Sequence, residues 1–238
     1  MPLITFLIPV RRRDDDLLRL ALYFLPQVLI AGCEVVVLYE ETGVSPDVLT
    51  LVLDAGARIG LVSGSSEVFH KTRLLNAGLA LACGEYVIAY DSDLLPLFEL
   101  SVLCDLVVNS PALVLGGYRI MSGESVVAGR HASSLLLPSP APEDCAGALY
   151  KQLMTGERFM VCPAFRREVL VSLAGWNESY CGWGCEDQDL LERYVTHSGI
   201  LPARLADLLY LHFDHPTQSG WNETEYVQRN RAFYYGSR

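Results

Sequence analysis

Residues 85–93 read EYVIAYDSD, an apolar run of strand-forming residues that ends in two aspartates, Asp91 and Asp93. Upstream of it, strand-like and helix-like runs alternate, which is the pattern of a mostly parallel central sheet with helices on its faces. Open sheets of this kind bind ligands beyond the carboxyl ends of their strands. We therefore predict an α/β, Rossmann-like fold whose nucleotide-binding half, residues 1–95, carries the two aspartates at its ligand edge.

The other elements are predicted from local patterns. Further strands are expected at residues 3–10, 33–39, 57–63 and 112–121. Helices are expected at residues 14–32, 45–56, 66–84, 96–110 and 186–199, with a closing helix that starts near Asn222. Pro26 should kink the first helix, and Ser45 should cap the second. The proline-rich stretch 122–156 is predicted to be a loop.

Composition limits the class of protein. A chain of 238 residues with 51% hydrophobic content is expected to form a single domain. Its formal net charge of −10 repels polyphosphate backbones, so nucleic acid is not an expected partner. No apolar run of about 18 residues is long enough to span a bilayer, so we expect no transmembrane segment. Seven scattered cysteines favour reduced thiols and a cytoplasmic, bacterial setting.

Three clusters of polar residues have two interpretations each. Asp91 and Asp93 can serve a nucleotide and a divalent cation, or can form a solvated turn. The arginines after the first strand can bind phosphate or can neutralise the acidic residues 14–16; they are Arg11, Arg12 and Arg13. His212 and His215 can complete a metal site with Asp93, or can be ordinary hydrogen-bonded histidines.

The stretch CGWGCEDQD, residues 181–189, places an indole between two glycines and three carboxylates at the start of a predicted helix. Glycines permit a tight turn, and indoles commonly pack on the faces of sugar rings. Carboxylates in a first helical turn are ordinary capping residues, yet one held near Trp183 is also a plausible general base. Asp189 is more simply read as a residue that holds the start of the helix.

Taken together, these motifs resemble GT-A fold glycosyltransferases of the beta-1,4-galactosyltransferase and bacterial chondroitin-polymerase type. IPVRRR at residues 8–13 is similar to the family's IPFRNR, FHKTRLLNAG at residues 69–78 to FNRAKLLNVG, and YDSDLLP at residues 90–96 to SDVDLIP. GWGCEDQDLLERY at residues 182–194 resembles GWGGEDDDIFNRL, and the motifs occur in the same order along most of the chain.

The resemblance implies roles for individual residues. Nucleotide contacts would come from Pro9, Arg11, Arg13, Glu40, Arg73 and Asp91. The ligands of Mn²⁺ or Mg²⁺ would be Asp93 with His212 or His215. Residues 96–238 would be the acceptor-binding half, in which Trp183, Glu186 and Asp187 bind the acceptor and Asp187 is also the catalytic base. The implied reaction is inverting transfer of a hexose, such as Gal or GalNAc, from a UDP-linked donor to a glycan or glycolipid acceptor.

Departures from the family concern the donor sugar. Galactosyltransferases have a glycine pair in FGGVSAL, whereas residues 159–165 here are FMVCPAF, so Met160 and Val161 should narrow the space for that sugar. Two other functions stay open: a sugar-nucleotide or nucleotidyl transferase on a similar sheet, and a non-catalytic carbohydrate-binding protein that has kept the fold.

Overall fold

A computed structural model describes residues 1–41, 43–63, 68–121, 160–213 and 225–236. The strands of the described residues are β1 (Ile4–Val10), β2 (Glu34–Glu40), β3 (Arg58–Val62), β4 (Tyr86–Ala89), β5 (Leu94–Pro96), β6 (Leu113–Met121), β7 (Val161–Arg166) and β8 (Leu201–His212). The helices are α1 (Asp14–Arg19), α2 (Leu25–Ile30), α3 (Pro46–Asp54), α4 (Lys71–Leu81), α5 (Leu100–Asn109), α6 (Arg167–Ser172), α7 (Glu186–Ser198) and α8 (Glu225–Gly236). The predicted 122–156 loop and Asn222 lie outside the described residues.

The eight described strands form one sheet in the order β3-β2-β1-β4-β7-β6-β8-β5. β1 pairs in parallel with β2 and β4, β2 pairs in parallel with β3, and β6 pairs in parallel with β8. The pairs β4·β7, β6·β7 and β5·β8 are antiparallel. The predicted α/β class and mostly parallel sheet are confirmed, and the antiparallel pairs all lie in or border the second half of the chain.

Two hydrophobic cores cover the two faces of the sheet, and β1 shows why. Every residue of β1 is buried. Phe6 and Ile8 belong to one core, whereas Leu7 belongs to the other, because successive side chains of a strand point to opposite faces. Helices α1, α2, α3 and α5 cover the first face, and α4 and α7 cover the second.

The first predicted helix contains a wider turn. Residues Leu20–Phe24 form a π-helical turn between α1 and α2, immediately before Pro26. A proline ring collides with the carbonyl four residues earlier, and a π turn gives it room. The expected kink is therefore accommodated by local widening. Ser45 caps α3 as predicted, since its hydroxyl accepts a hydrogen bond of 3.4 Å from the Val48 amide.

The pairing of β6 with β8 depends on a glycine. The register between these strands shifts between Gly116 and Tyr118, and a Cβ at Gly117 would overlap the backbone carbonyl of Leu208. We expect Gly117→Ala to lower the free energy of unfolding by about 1–3 kcal/mol, because neither backbone can move without breaking the ladder. Urea unfolding measures this loss. The control is Gly236→Ala, where no atom lies within 4 Å of the added Cβ, and equal stability of the two variants would contradict the prediction.

No helix among the described residues combines the length and the apolar character needed to cross a bilayer.

Candidate active site

Asp93 and His212 meet where two strands pair. β5 runs antiparallel to β8, with Leu94 opposite His212, and the Phe213 amide donates a hydrogen bond of 2.8 Å to the Asp93 carbonyl. This register brings His212 Nε2 to 3.5 Å from Asp93 Oδ2. Both residues are buried. The strand-end aspartate and the late histidine are thus neighbours, although they are 119 positions apart in the chain.

The geometry of this pair fits a divalent cation. Two ligands of one ion, each about 2.1 Å from it, lie roughly 3.0–3.4 Å apart, close to the observed separation. Carboxylate and imidazole are both common ligands of such ions. No larger group of His, Cys, Asp and Glu side chains is arranged for a metal in the part of the chain that the structure describes. A divalent cation that binds phosphates commonly keeps water and phosphate oxygens among its ligands.

The Gly-Trp-Gly stretch forms a tight turn that leads into α7. Gly182 has a φ of 77° and Gly184 a φ of 113°, values that favour glycine. The Gly184 amide donates a hydrogen bond of 2.9 Å to Glu186 Oε2, so this carboxylate, the first residue of α7, binds back to the turn that precedes the helix. From α8, Asn230 donates to the carbonyls of Cys181 and Trp183 at 2.9 and 3.1 Å. Hydrogen bonds thereby join the turn to both α7 and α8.

Lys71 joins the two acidic stretches. It is the first residue of α4, and its Nζ lies 3.3 Å from Asp91 Oδ1, 3.3 Å from Glu186 Oε1 and 3.1 Å from Asp187 Oδ2. Asp91 follows β4, whereas Glu186 and Asp187 begin α7. The ammonium therefore brings carboxylates from both halves of the chain into one site.

In the motif that begins α4, Arg73 was predicted to contact the nucleotide, whereas no role was predicted for Lys71. The signal was present, because Lys71 stands two positions earlier in FHKTRLLNAG, at the end of the helix that faces the ligand edge. The predicted helix began at residue 66, which placed Lys71 inside it instead of at its first position. Arg73 is exposed and donates a hydrogen bond of 2.8 Å to the Ser63 carbonyl, beyond β3.

The charged groups at the site change one another's pKa values. Burial acts to lower the pKa of Lys71, but the carboxylates, with Asp187 foremost, raise it well above its ordinary value. Desolvation acts to raise the pKa of Asp91, whose side chain is half exposed, but the Lys71 ammonium outweighs it and the pKa falls. Burial and the negative charge of Asp187 raise the pKa of Glu186 to about 7. Lys71 therefore stays a cation, and Glu186 holds its proton more tightly than an exposed glutamate does.

This shift predicts a pH-dependent stability. Between pH 4.5 and about 7 the unfolded chain has lost the Glu186 proton while the folded protein retains it, so the free energy of unfolding falls as pH rises through this window. Glu186→Gln removes that contribution, and its stability relative to wild type should rise from pH 4.5 to 7. Urea midpoints at several pH values measure the effect. Exposed Glu168→Gln is the control, and a pH-independent difference for Glu186→Gln would contradict the prediction.

Other predicted nucleotide residues lie along the same edge of the sheet. Pro9 is buried near the end of β1, Arg11 follows that strand half-buried, and Glu40 is buried at the end of β2. Arg13 lies 3.4 Å from Asp16, the pairing that the alternative interpretation of these arginines expects. Asp16 also binds Arg19 at 2.6 Å. The arginine cluster is thus partly engaged with its own acidic neighbours.

Residues predicted for the sugar and the acceptor are divided between surface and core. Trp183 is 47% exposed, and the Asp187 side chain is 42% exposed. Met160 lies over Gly116 in the hydrophobic core that also contains Leu74, and Val161 is buried in the core on the opposite face. His215 lies outside the described residues.

Asp189 has a structural set of contacts. Its carboxylate accepts a hydrogen bond of 2.7 Å from Arg193 and one of 3.4 Å from the Tyr180 hydroxyl. Arg193 also donates to the carbonyls of Leu173 and Gly175. These contacts agree with the interpretation that Asp189 holds the start of α7.

One family model matches part of the chain. It is described as the N-terminal domain of galactosyltransferase and covers residues 157–215, about a quarter of the sequence. The matched segment contains the Gly-Trp-Gly turn, the acidic start of α7 and His212, but not the Asp91 and Asp93 stretch. No curated protein sequence matches the chain significantly.

Solved structures match nearly the whole chain. Glucosyl-3-phosphoglycerate synthase from Mycobacterium tuberculosis, in complex with Mn²⁺, UDP-glucose and phosphoglyceric acid, has a TM-score of 0.63 and 18% identity over 99% of this chain and 80% of that one. The mannosyltransferase PcManGT from Pyrobaculum calidifontis, in complex with GDP-Man and Mn²⁺, has a TM-score of 0.60 and 17% identity, and S. aureus TarS with UDP-GlcNAc has 0.63 and 15%. Both matches span 98% of this chain, but only 62% of PcManGT and 65% of the TarS chain. The chain has the GT-A fold that these glycosyltransferases share.

Proposed function

We propose that this protein is a metal-dependent, inverting glycosyltransferase that uses a nucleoside-diphosphate sugar. The observation that carries the proposal is the contact of one buried ammonium, Lys71, with Asp91 and Asp187. Asp91 stands at the strand end where a nucleotide would bind, and Asp187 stands on the turn where an acceptor would bind. We also infer a single GT-A domain over residues 1–238, because one sheet runs through both halves.

The donor half would hold the nucleotide and a cation. Asp93 and His212 are the residues that would bind Mn²⁺ or Mg²⁺, and their separation of 3.5 Å suits one ion. The cation, when bound, would offset the negative charge of the diphosphate leaving group. Asp91, Arg11 and Arg73 border the same edge and are candidate contacts for the nucleotide. Solved neighbours that carry Mn²⁺ and a UDP- or GDP-linked sugar support this assignment, and we propose a UDP-linked hexose.

The transfer step needs a base that an acceptor can reach. Of the two carboxylates that begin α7, Asp187 is the one exposed to solvent. Its side chain is 42% exposed, whereas the neighbouring Glu186 is buried and accepts a hydrogen bond from the Gly184 amide. We propose that Asp187 accepts the proton of the acceptor hydroxyl while the oxygen of that hydroxyl bonds to the anomeric carbon. The bond from that carbon to the diphosphate oxygen breaks, and its electron pair leaves with the nucleoside diphosphate. One displacement from the opposite face inverts the anomeric configuration.

The acceptor would lie over Trp183. The indole is exposed on a turn that is fixed by hydrogen bonds from Asn230 and by the hydrogen bond from the Gly184 amide to Glu186, so it can present a face to a sugar ring. A glycan or a glycolipid sugar is therefore the acceptor class that we propose. The donor sugar that we propose is Gal, GalNAc or another hexose.

Two experiments test the proposal. The first is a thermal-shift screen of UDP, GDP and their sugars with and without Mn²⁺, because a ligand that binds only the folded state raises the melting temperature. The second measures release of nucleoside diphosphate from the donor that binds best. Mn²⁺-dependent hydrolysis of that donor supports the transferase. Binding without turnover favours a carbohydrate-binding protein, and turnover of a sugar 1-phosphate with a nucleoside triphosphate favours a nucleotidyltransferase.

Trp183→Ala tests the acceptor side separately. We expect the KM for the acceptor to rise by about tenfold, in keeping with the loss of one stacking contact of 1–1.5 kcal/mol, while the affinity for UDP changes little. Initial rates at varied acceptor concentration, together with UDP titration, measure both quantities. A large loss of UDP affinity would move Trp183 to the donor site. Phe233→Ala, another exposed aromatic residue, is the matched control.

A further inference from the structure

Lys71 is an unusual residue in its burial and its charge. It is 9% exposed and surrounded by three carboxylates from two parts of the chain. A buried ammonium is unfavourable unless opposite charges surround it closely. The three carboxylates therefore keep Lys71 charged, and Lys71 in turn limits the repulsion among them. Removal of either side leaves the other unbalanced.

The start of α4 is also attached to the Gly-Trp-Gly turn through hydrogen bonds that do not involve the ammonium. The Gly182 amide donates to the Phe69 carbonyl at 3.0 Å. The Thr72 hydroxyl donates to the Tyr180 carbonyl, also at 3.0 Å. Lys71 lies between these two attachment points in sequence, so its backbone has a defined position relative to the first turn of α7.

The contact with Lys71 fixes Asp187 without covering it. Nζ lies 3.1 Å from Asp187 Oδ2, yet 42% of the Asp187 side chain stays exposed. The same ammonium lies 3.3 Å from Asp91 Oδ1, at the end of β4. An exposed aspartate at the start of a helix would ordinarily sample several rotamers. Here one cation ties its position to the strand end that carries Asp91.

We propose that Lys71 is a positioning residue that sets the distance between Asp187 and the strand end at Asp91. This proposal rests on the proposed function, in which Asp187 serves the acceptor and the Asp91 edge serves the donor. It assigns Lys71 no contact with the reacting atoms. Misplacement of a base by about an ångström slows a reaction by roughly 100-fold, so an effect of that size is expected when Lys71 is lost.

The kinetic test compares Lys71→Met, Lys71→Arg and the surface control Arg231→Met. Transfer to an acceptor and hydrolysis of the donor in its absence are measured side by side, since hydrolysis needs the donor edge but no acceptor. Lys71→Met should lower kcat for transfer by about 100-fold. The same substitution should lower the rate of donor hydrolysis by about tenfold or less. Lys71→Arg should recover most of the rate because it restores the positive charge. Equal losses in transfer and hydrolysis, or no recovery by arginine, would overturn the proposal.

A second measurement needs no substrate and separates this proposal from the proposed function. Lys71→Met should lower the melting temperature because it leaves carboxylates crowded without their cation, and Lys71→Met with Asp187→Asn should recover part of that loss. Strictly additive effects of the two substitutions would refute the coupling of Lys71 to Asp187. Absence of turnover by the wild-type protein with every donor would refute the transferase and leave this coupling measurable.

Discussion

Asp187→Asn should lower transfer to an acceptor by about 10²–10⁴-fold, the usual contribution of a general base. Asparagine has nearly the same shape but cannot take a proton from a hydroxyl. Affinity for the nucleotide and for Mn²⁺ should change little, because Asp187 lies on α7, whereas Asp93 and His212 lie where β5 pairs with β8 and contact each other. Single-turnover transfer rates, together with titrations of UDP and Mn²⁺, measure the two effects separately.

The control for Asp187→Asn is Asp54→Asn, an exposed aspartate at the end of α3, on the opposite face of the sheet from α7. Its transfer rate should match that of the wild type. Near-native transfer by Asp187→Asn with a true acceptor would remove Asp187 from the role of base. Glu186→Gln then becomes the informative variant, because Glu186 is the next carboxylate on the same turn and contacts the same ammonium.

Asp93→Ala should abolish metal-dependent binding of the donor. We expect the apparent affinity for Mn²⁺ to fall by at least about 100-fold, since loss of even an outer-sphere partner costs a metal site 10–100-fold. Binding of UDP measured without metal should be nearly unchanged. Isothermal titration with Mn²⁺ in the presence of UDP gives the affinity. Asp105→Ala, an exposed aspartate on α5, is the control.

Variants of the two histidines distinguish whether His212 or His215 binds the metal with Asp93. His212→Ala should weaken Mn²⁺ binding more than His215→Ala, because His212 Nε2 lies 3.5 Å from Asp93 Oδ2. The reverse order would move the ligand to His215. Unchanged Mn²⁺ affinity in both histidine variants and in Asp93→Ala would show that the pair is a structural contact between β5 and β8.

The amino-acid sequence predicted the first half of the fold well because each signal there is local. Parallel strands buried on both faces appear as continuous apolar runs, as in residues 3–10, and the helices between them have recognisable caps such as Ser45. Strands β5, β7 and β8 were not predicted. β5 has only three residues, β7 contains a proline, and β8 contains Arg204 and Asp207 within a partly exposed run. These strands owe their state to pairing with neighbours, which no local pattern records.

The sequence by itself determined the fold class and the residue types of the site: a strand that ends in Asp91 and Asp93, and a glycine-flanked tryptophan followed by acids. Only the tertiary structure decided which of these groups meet. The antiparallel register of β5 and β8 places His212 beside Asp93, and the start of α4 places Lys71 among Asp91, Glu186 and Asp187. The contacts of Lys71 with Glu186 and Asp187 join residues 115 and 116 positions apart. Whether such residues meet depends on strand order and register, which a linear pattern does not specify.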